Sequence, residues 1–222
     1  MHVCIVDRVE RPRLLDLFCG AGGAAMGYHR AGFDVTGVDN RPQPRYPFTF
    51  IQGDAMTFPL DGFDMIHASP PCTDHTSMGP RTSGTAWMLA ATRNRLSAQD
   101  TPWIIENVLN APMRADFLLC GAMFGLRTYR HRRFELDPRW PALLALPAHP
   151  RHRIPASRGA NGGRVAAYEA GLMISVSSHN PNRVSAACLD IDWMAGSDEL
   201  GLAIPPAYTE YIGAQLLDHL RG

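Results

Sequence analysis

The sequence predicts an α/β fold with a doubly wound, mostly parallel sheet and a small irregular insert. Strand-like and helix-like stretches alternate along the first half, which implies right-handed βαβ units. A glycine-rich turn joins the first strand to the first helix. The 222 residues, 45% of them hydrophobic, suit one domain with a substantial core.

Short apolar runs bounded by turn residues mark the strands. Five of them come in order: RLLDLFC, DVTGVDN, FTFIQGDAMTF, FDMIHAS and PWIIENV, with a sixth in YRHRRFEL. Helical composition and period mark GAGGAAMGYHRAGF and TAWMLAATRNRLSA. The last helix, in IPPAYTEYIGAQLLDHLRG, opens with proline.

Residues 136–185 are predicted to form the insert, and residues 1–135 with 186–222 the α/β domain. The insert is rich in proline, glycine and arginine. Residues 127–164 hold nine arginines and two acidic residues, although the whole chain has a formal net charge of zero. This local excess of positive charge indicates either a contact with a polyanion or a solvated surface loop.

Composition also argues against several classes of protein. No apolar run approaches the length that spans a membrane, and we expect neither a signal peptide nor a membrane contact. The five cysteines are far apart and form no C-x-x-C pair, so we expect no disulfide framework and no metal site. A reducing cytoplasm fits this cysteine usage best.

The glycine-rich stretch DLFCGAGGA, with Asp39 downstream, predicts a nucleotide-binding site. Its spacing also satisfies a dinucleotide fingerprint, so an NAD-dependent oxidoreductase stays open. Asp16 precedes the glycines and is placed to meet an ammonium group. Asp54 is placed to accept a hydrogen bond from an adenine amino group, and Phe18 to cover the adenine ring. These features favour an adenosyl ligand that has no pyrophosphate.

Two further chemical groups follow strands. Cys72, after two prolines in ASPPCTDHTS, is either a buried turn cysteine or a presented nucleophile. Glu106, in ENV, is either a surface acid at a strand end or a catalytic acid. Because ligand sites lie at the carboxyl ends of parallel strands, we expect both near the glycine-rich turn.

The ordered set DLFCGAGG, GVDN, GDAM, SPPC, ENV and RHRRF resembles the DNA (cytosine-5)-methyltransferase family. The resemblance covers residues 14–136 and resumes near the C-terminus, where GLAIPPAYTEYIG is similar to the closing block that completes the family's cofactor pocket. It implies the Rossmann-like fold of class I methyltransferases that use S-adenosylmethionine. The cofactor pocket would then contain Asp16, Phe18, Gly20, Gly22, Asp39, Asp54 and Pro70.

The resemblance also implies a reaction and its residues. Cys72 would add to C6 of a flipped-out cytosine, and Glu106 would act at the N3 and amino edge. Arg133 aligns with the family's second arginine, and His131 stands at the position of the first. Arg132 would either substitute for that first arginine or contact a DNA phosphate. The remaining DNA contacts are expected at Arg151, Arg153, Arg158 and Arg164.

The expected partner is therefore double-stranded DNA, methylated in a short sequence context by a monomeric bacterial or phage-encoded enzyme. An RNA methyltransferase is the main alternative, since some members of the family use the same motifs on tRNA. A non-catalytic DNA-binding relative is a weaker alternative, because Leu202 replaces the asparagine of the closing block. Transfer of a group larger than methyl also stays open.

Overall fold

The computed structural model describes residues 10–71, 84–139, 145–151, 161–177 and 180–221. Within these ranges the strands are β1 Arg13–Leu17, β2 Asp34–Asp39, β3 Thr49–Gln52, β4 Met65–Ala68, β5 Trp103–Val108, β6 Phe117–Leu119 and β7 Arg132–Leu136. The helices are α1 Gly23–Ala31, α2 Ala86–Ser97, α3 Asn161–Glu169, α4 Asn182–Leu189, α5 Ser197–Leu202 and α6 Pro206–Arg221. None of the described helices is long and apolar enough to cross a membrane.

The strands form one seven-stranded sheet in the order β3-β2-β1-β4-β5-β7-β6. Strands β1 to β5 all run parallel to one another. Strand β7 runs antiparallel to both of its neighbours, β5 and β6. The strand order reverses between β1 and β4, which creates a crevice at their carboxyl ends. The predicted α/β fold with a mostly parallel, doubly wound sheet is confirmed.

Side chains alternate between two buried faces of the sheet. One face carries Leu14 of β1 and Met65 of β4, and packs against α1 and α6. The opposite face carries Leu15 and Ile66, and packs against α2. Because helices pack against both faces of the central strands, these strands appear in the sequence as continuous apolar runs.

Two features of the fold differ from the sequence prediction. Strand β6, only three residues long, is not predicted, because such a short apolar run resembles an ordinary loop. The insert is not irregular throughout, since α3 lies inside it and its Ile174 and Val176 are buried. These side chains join a third apolar cluster that also contains Ala21 of the glycine-rich turn. The described part of the insert therefore packs on the α/β domain.

The contact between α1 and α6 at Gly27 leads to a stability prediction. A methyl group on Gly27 would lie 2.1 Å from the carbonyl oxygen of Pro206 and 2.1 Å from Oγ1 of Thr209. We expect Gly27→Ala to lower the free energy of unfolding by roughly 3 kcal/mol, because α1 and α6 must separate. Urea unfolding measures this change.

The matched control is Gly53→Ala, where an added methyl group would lie 3.8 Å from Val38 and 3.9 Å from Phe58. Its effect should stay within about 0.5 kcal/mol. Equal stabilities for the Gly27 and Gly53 variants would contradict the close packing of α1 on α6.

Candidate active site

The glycine-rich turn between β1 and α1 has an unusual backbone. Phe18 adopts φ 59°, a left-handed conformation that is uncommon for an aromatic residue, and Gly20 and Gly22 follow with φ 50° and 85°. The turn is fixed because Cys19 N donates to Val38 O at 3.1 Å and Gly22 N donates to Cys19 O at 3.1 Å. A side chain at Gly20 would meet no atom of the described residues within 4 Å, so this glycine leaves space for a ligand beside the backbone.

Two carboxylates lie at the ends of β2 and β3, as the sequence predicts. Asp39 Oδ2 accepts a hydrogen bond from Gly20 N at 3.0 Å, which ties the end of β2 to the glycine-rich turn. The other oxygen of Asp39 accepts from Arg41 N at 2.9 Å. Asp54 is exposed, and its Oδ1 accepts from Met56 N at 2.9 Å. Each carboxylate keeps further lone pairs for a ligand.

Asp16 is a buried carboxylate that has no hydrogen-bond partner in the part of the chain that the structure describes. Its side chain is 1% exposed, and neither oxygen has a hydrogen-bond donor among the described residues. Burial raises the pKa of Asp16 well above its usual value, and the nearby charges of Asp39 and Glu106 raise it further. A buried acceptor pair of this kind fits a cationic ligand such as an ammonium group.

A line of polar side chains crosses the buried α1 face of the sheet. Tyr28 of α1 places its hydroxyl 3.0 Å from Nδ1 of His67 in β4, and Nε2 of His67 lies 2.9 Å from Oγ of Ser69. The Ser69 side chain in turn hydrogen-bonds to Glu106. Because Ser69 gives its one proton to Glu106, His67 Nε2 must donate to Ser69 and Nδ1 must accept from Tyr28.

Of this line the sequence analysis predicted only Glu106, and it missed Tyr28, His67 and Ser69. Burial lowers the pKa of His67 to about 3, so the ring is neutral at ordinary pH, as this hydrogen-bonding pattern requires. The available signal was a single histidine inside an apolar strand, which by itself predicts no particular role.

Glu106 ends this line at the carboxyl end of β5. It is 5% exposed, and burial raises its pKa, although Arg132, Arg130 and the hydrogen bond from Ser69 act to lower it. Nε of Arg132 lies 2.8 Å from Oε1 of Glu106. That contact is an ion pair without good hydrogen-bond alignment, because Oε1 has no hydrogen-bond partner among the described residues. Oε1 thus keeps capacity for a hydrogen bond to a ligand.

The structure brings Arg132, and not Arg133, to Glu106. Successive residues of β7 point to opposite faces, so Arg132 faces the α1 side and Arg133 faces the α2 side. Arg133 Nη1 accordingly donates to Ala111 O at 3.4 Å. The expected position of Arg133 beside the reacting groups therefore does not agree with this geometry. A phosphate contact by Arg132 does not agree with this geometry either, because its side chain is only 14% exposed and pairs with Glu106.

Other arginines of the basic stretch also make internal contacts. Arg127 stacks over the ring of Tyr168 at 3.7 Å and donates to the Tyr168 carbonyl. Arg130 donates to the carbonyl oxygens of Gly201 and Ala203, at 2.7 and 2.6 Å. The excess of positive charge therefore serves in part to join β7 to the C-terminal segment.

Only part of the expected DNA-contact set can be placed. Arg151 is exposed. Arg164 lies in α3, where the described structure does not include its side chain. Arg153 and Arg158 lie outside the described residues.

Cys72 also lies outside the described residues, which reach Pro71 on this side. The segment before Cys72 is held in place at Pro70. Asn107 Nδ2 donates to Pro70 O at 3.0 Å, and Asn107 Oδ1 accepts from Val108 N at 2.9 Å. Asn107 therefore ties the chain after β4 to the end of β5.

The closing block packs against the glycine-rich turn. A methyl group on Gly23 would lie 2.4 Å from the carbonyl oxygen of Ile204, so the two segments touch through their backbones. Trp193 Nε1 donates to Ala21 O at 2.8 Å. Leu202, which stands where the family has asparagine, is 68% exposed.

Comparisons with known proteins agree with this architecture. Over 142 residues, or 56% of the chain, the sequence is 30% identical to the type II methyltransferase M.HgiDI of Herpetosiphon aurantiacus. The match covers 46% of that protein, so the chain spans about half the length of this relative. No protein-family model matches the chain.

Two solved structures show the same fold at low identity. The Dnmt2 methyltransferase of S. pombe has a TM-score of 0.61 and 13% identity, with 96% of this chain and 100% of that one covered. The Entamoeba histolytica methyltransferase EhMeth has a TM-score of 0.58 and 10% identity, with the same coverage of both chains. The chain has the Rossmann-like fold of class I methyltransferases.

The unpartnered carboxylate leads to the first prediction from this site. We expect Asp16→Asn to raise the free energy of unfolding of the ligand-free protein by about 1–3 kcal/mol at pH 8, because a buried charge is removed. The folded pKa of Asp16 lies above its unfolded value, so the gain should vanish below about pH 4 and grow as the pH rises. Urea unfolding across this pH range measures it.

The matched control is Asp61→Asn, since Asp61 is exposed. That variant should change stability by less than about 0.5 kcal/mol at either pH. A loss of stability in Asp16→Asn at pH 8 would mean that the buried carboxylate has a partner and stabilises the fold.

The neutral histidine leads to a second prediction. The folded pKa of His67, about 3, lies below its unfolded value of about 6.5, so the unfolded state binds the extra proton between these limits. The resulting contribution to stability is complete above pH 6.5 and is lost at up to about 1.4 kcal/mol per pH unit as the pH falls. We expect His67→Gln to remove this component of the acid sensitivity. An unchanged pH dependence of unfolding in the variant would show that His67 is already protonated in the fold.

Proposed function

We propose that this chain is a cytosine-5 methyltransferase that uses S-adenosylmethionine and acts on DNA. The observation that carries the proposal is the environment of Glu106, a buried acid with a raised pKa that Arg132 and Ser69 hold at the carboxyl end of β5. The neighbouring strand β4 leads through Pro70 and Pro71 directly to Cys72. A nucleophile and an acid are thus supplied by adjacent strands at the edge where ligands bind in such sheets.

The residues at the ends of β1, β2 and β3 fit S-adenosylmethionine, which supplies an electrophilic methyl group when it is bound. Asp16 would accept a hydrogen bond from the ammonium group of the cofactor's amino acid part, because the buried oxygens of Asp16 have no donor among the described residues. Asp39 would bind the ribose hydroxyls and Asp54 the adenine amino group. The open space in front of Gly20 admits a ligand close to the backbone. Phe18, Gly22 and Pro70 would complete the pocket.

The reaction proposed for Cys72 begins with addition to the base. The thiolate forms a bond from Sγ to C6 of cytosine. The electron pair of the C5–C6 double bond then forms a double bond between C4 and C5, and the electron pair of the C4–N3 double bond moves to N3. Glu106 gives its proton to N3, which neutralises the charge that develops there. A carboxyl group whose pKa is raised by burial keeps that proton nearer to neutral pH.

The added thiolate makes C5 nucleophilic, in the manner of an enamine. The new C5–methyl bond forms as the bond from the methyl group to the donor sulfur breaks, and the electron pair of that bond stays with the donor. A base then removes the proton at C5, the C5–C6 double bond forms again, and the Cys72 thiolate leaves. N3 returns its proton to Glu106, so the acid is also regenerated. Cysteine is regenerated, so the cycle needs no oxidant or reductant.

Arg132 and Asn107 act as positioning residues in this scheme. Arg132 holds Oε1 of Glu106 in place by an ion pair, and Asn107 fixes the Pro70 carbonyl on the way to Cys72. Relative placement within a fraction of an ångström matters, because misalignment of reacting groups costs a large part of the rate.

DNA is the proposed substrate because the ordered motifs resemble those of DNA methyltransferases. A cytosine within a duplex must leave the base stack to meet Cys72, at a cost of a few kcal/mol. Arg151, exposed beyond β7, is a candidate phosphate contact, and phosphate contacts make binding weaken as salt rises.

The test of this proposal measures 5-methylcytosine, by mass spectrometry of nucleosides, in unmethylated plasmid DNA and in unmodified tRNA after incubation with the chain and S-adenosylmethionine. We expect the product in DNA, and Cys72→Ala should abolish it while cofactor affinity stays within a few-fold. Product in tRNA alone would replace DNA by RNA as the substrate. Turnover by Cys72→Ala would overturn the covalent mechanism.

A matched pair of variants on β7 tests the position of the acid. Arg132→Ala should lower kcat by at least about 100-fold, because Glu106 loses its charged partner. Arg133→Ala removes the same side chain from the opposite face of the sheet and should retain most of the activity. If Arg133→Ala were the more damaging substitution, the placement of Arg132 at the site would be wrong.

A further inference from the structure

Three possible metal ligands from separate parts of the chain converge beside β7. Cys120 follows β6 and is buried, His131 immediately precedes β7, and His149 lies in the exposed segment 145–151. Their sulfur and nitrogen atoms all lie within 4.8 Å of one another. The cluster includes neither Glu106 nor any residue assigned to the cofactor pocket.

The geometry of the two imidazoles suits a shared ion. Nε2 of His131 lies 3.3 Å from Nε2 of His149, and the ring centroids are 5.5 Å apart. Nitrogen and sulfur atoms bound to one tetrahedral zinc ion lie about 3.3–3.6 Å apart, given bond lengths of 2.0–2.3 Å. The two nitrogens already have this separation, and the distance from the Cys120 sulfur to each nitrogen would need to shorten by no more than about 1.3 Å.

We propose that Cys120, His131 and His149 bind one zinc ion. One thiolate with two imidazoles is a donor set that zinc accepts, and zinc imposes no further geometric preference. Binding replaces the S–H bond of Cys120 by an S–Zn bond and releases one proton, while both histidines bind in their neutral form. The fourth position is open to water or another donor.

Such an ion would fasten the exposed segment 145–151 to the sheet. The segment is anchored at its start on α6, where Ala145 N donates to Gln215 Oε1 at 2.8 Å and Tyr211 donates to Ala145 O. Six of its seven residues are exposed, so it has little apolar burial of its own. A metal at His149 would fix its other end, which carries Arg151.

The ion would also stabilise the entry to β7. Arg132 Nη1 donates to His131 O at 2.9 Å, and Arg130 and His131 line a cleft of about 230 Å³ together with Arg132. A fixed His131 therefore limits the movement of the arginine that contacts Glu106. The proposed role of the metal is to stabilise the fold at this place, and no step of the methyl transfer depends on it.

The experiment measures metal content in the untagged full-length chain by inductively coupled plasma mass spectrometry, after incubation with zinc and removal of free metal. We expect about one zinc per chain, falling to below a tenth in His149→Ala and in Cys120→Ser. The matched controls are His219→Ala, another exposed histidine, and Cys188→Ser, another fully buried cysteine. Both controls should keep the full zinc content.

Cobalt provides a second readout that identifies the sulfur ligand. The Co²⁺-loaded chain should show a thiolate-to-cobalt charge-transfer band, and Cys120→Ser should lack it, whereas Cys188→Ser should retain it. Because His149 is exposed, His149→Ala should fold, so its zinc content tests the site even if Cys120→Ser is unstable. A wild-type chain that retains no zinc, full zinc in His149→Ala, or stoichiometric copper in place of zinc would each overturn the proposal. None of these results depends on methyl transfer.

Discussion

The contact between Glu106 and Arg132 constrains the rest of the site, because both side chains lie largely out of reach of water. Removing one member of such a pair leaves an uncompensated charge, which costs far more than the pair contributes. The surrounding groups are arranged accordingly. Ser69 hydrogen-bonds to Glu106, and His67 and Tyr28 continue that line of hydrogen bonds into the core. A defined proton direction in this line requires a neutral His67, which deep burial ensures.

A second carboxylate on the same face connects the two halves of the proposed reaction. The charges of Asp16 and Glu106 repel each other, since Glu106 contributes to the raised pKa of Asp16. A cation bound at Asp16 would relieve part of this repulsion. In the proposed reaction, cofactor binding and the protonation of Glu106 would therefore be linked by ordinary thermodynamic coupling, without any movement of the sheet. The reversal of strand order between β1 and β4 is what brings these groups to one crevice.

The sequence predicted most of the sheet, because strands buried on both faces leave long apolar runs, and the carboxyl edge of such a sheet collects its polar groups. The sequence did not predict which of two neighbouring arginines contacts Glu106. Arg132 and Arg133 are neighbours of the same type, and a shift of one position along a strand exchanges its two faces. Motif alignment does not decide between the two arginines. In the sheet Asn107 pairs with Arg133, so Arg132 lies on the other face, which is the face of Glu106.

The packing of the insert and the cluster of Cys120, His131 and His149 leave no signal in the sequence, for another physical reason. The buried side chains of Ile174 and Val176 pack on a cluster built largely by other segments, so the insert shows no periodic core of its own. Cys120, His131 and His149 are separated by 11 and 18 positions and come together only through the fold. A prediction based on spacing recognises ligands within one motif, and these ligands share none.

Trapping with 5-fluorocytosine tests the central claim most directly, because the account requires a covalent bond between Cys72 and C6 before the methyl group is transferred. Fluorine at C5 cannot leave as a cation, so the final elimination stops and the adduct persists. The account predicts a denaturant-stable complex between the 24.4 kDa chain and fluorinated duplex DNA, formed only with S-adenosylmethionine and absent in Cys72→Ser. Methylation of ordinary DNA with no trapped complex on the fluorinated duplex would contradict it.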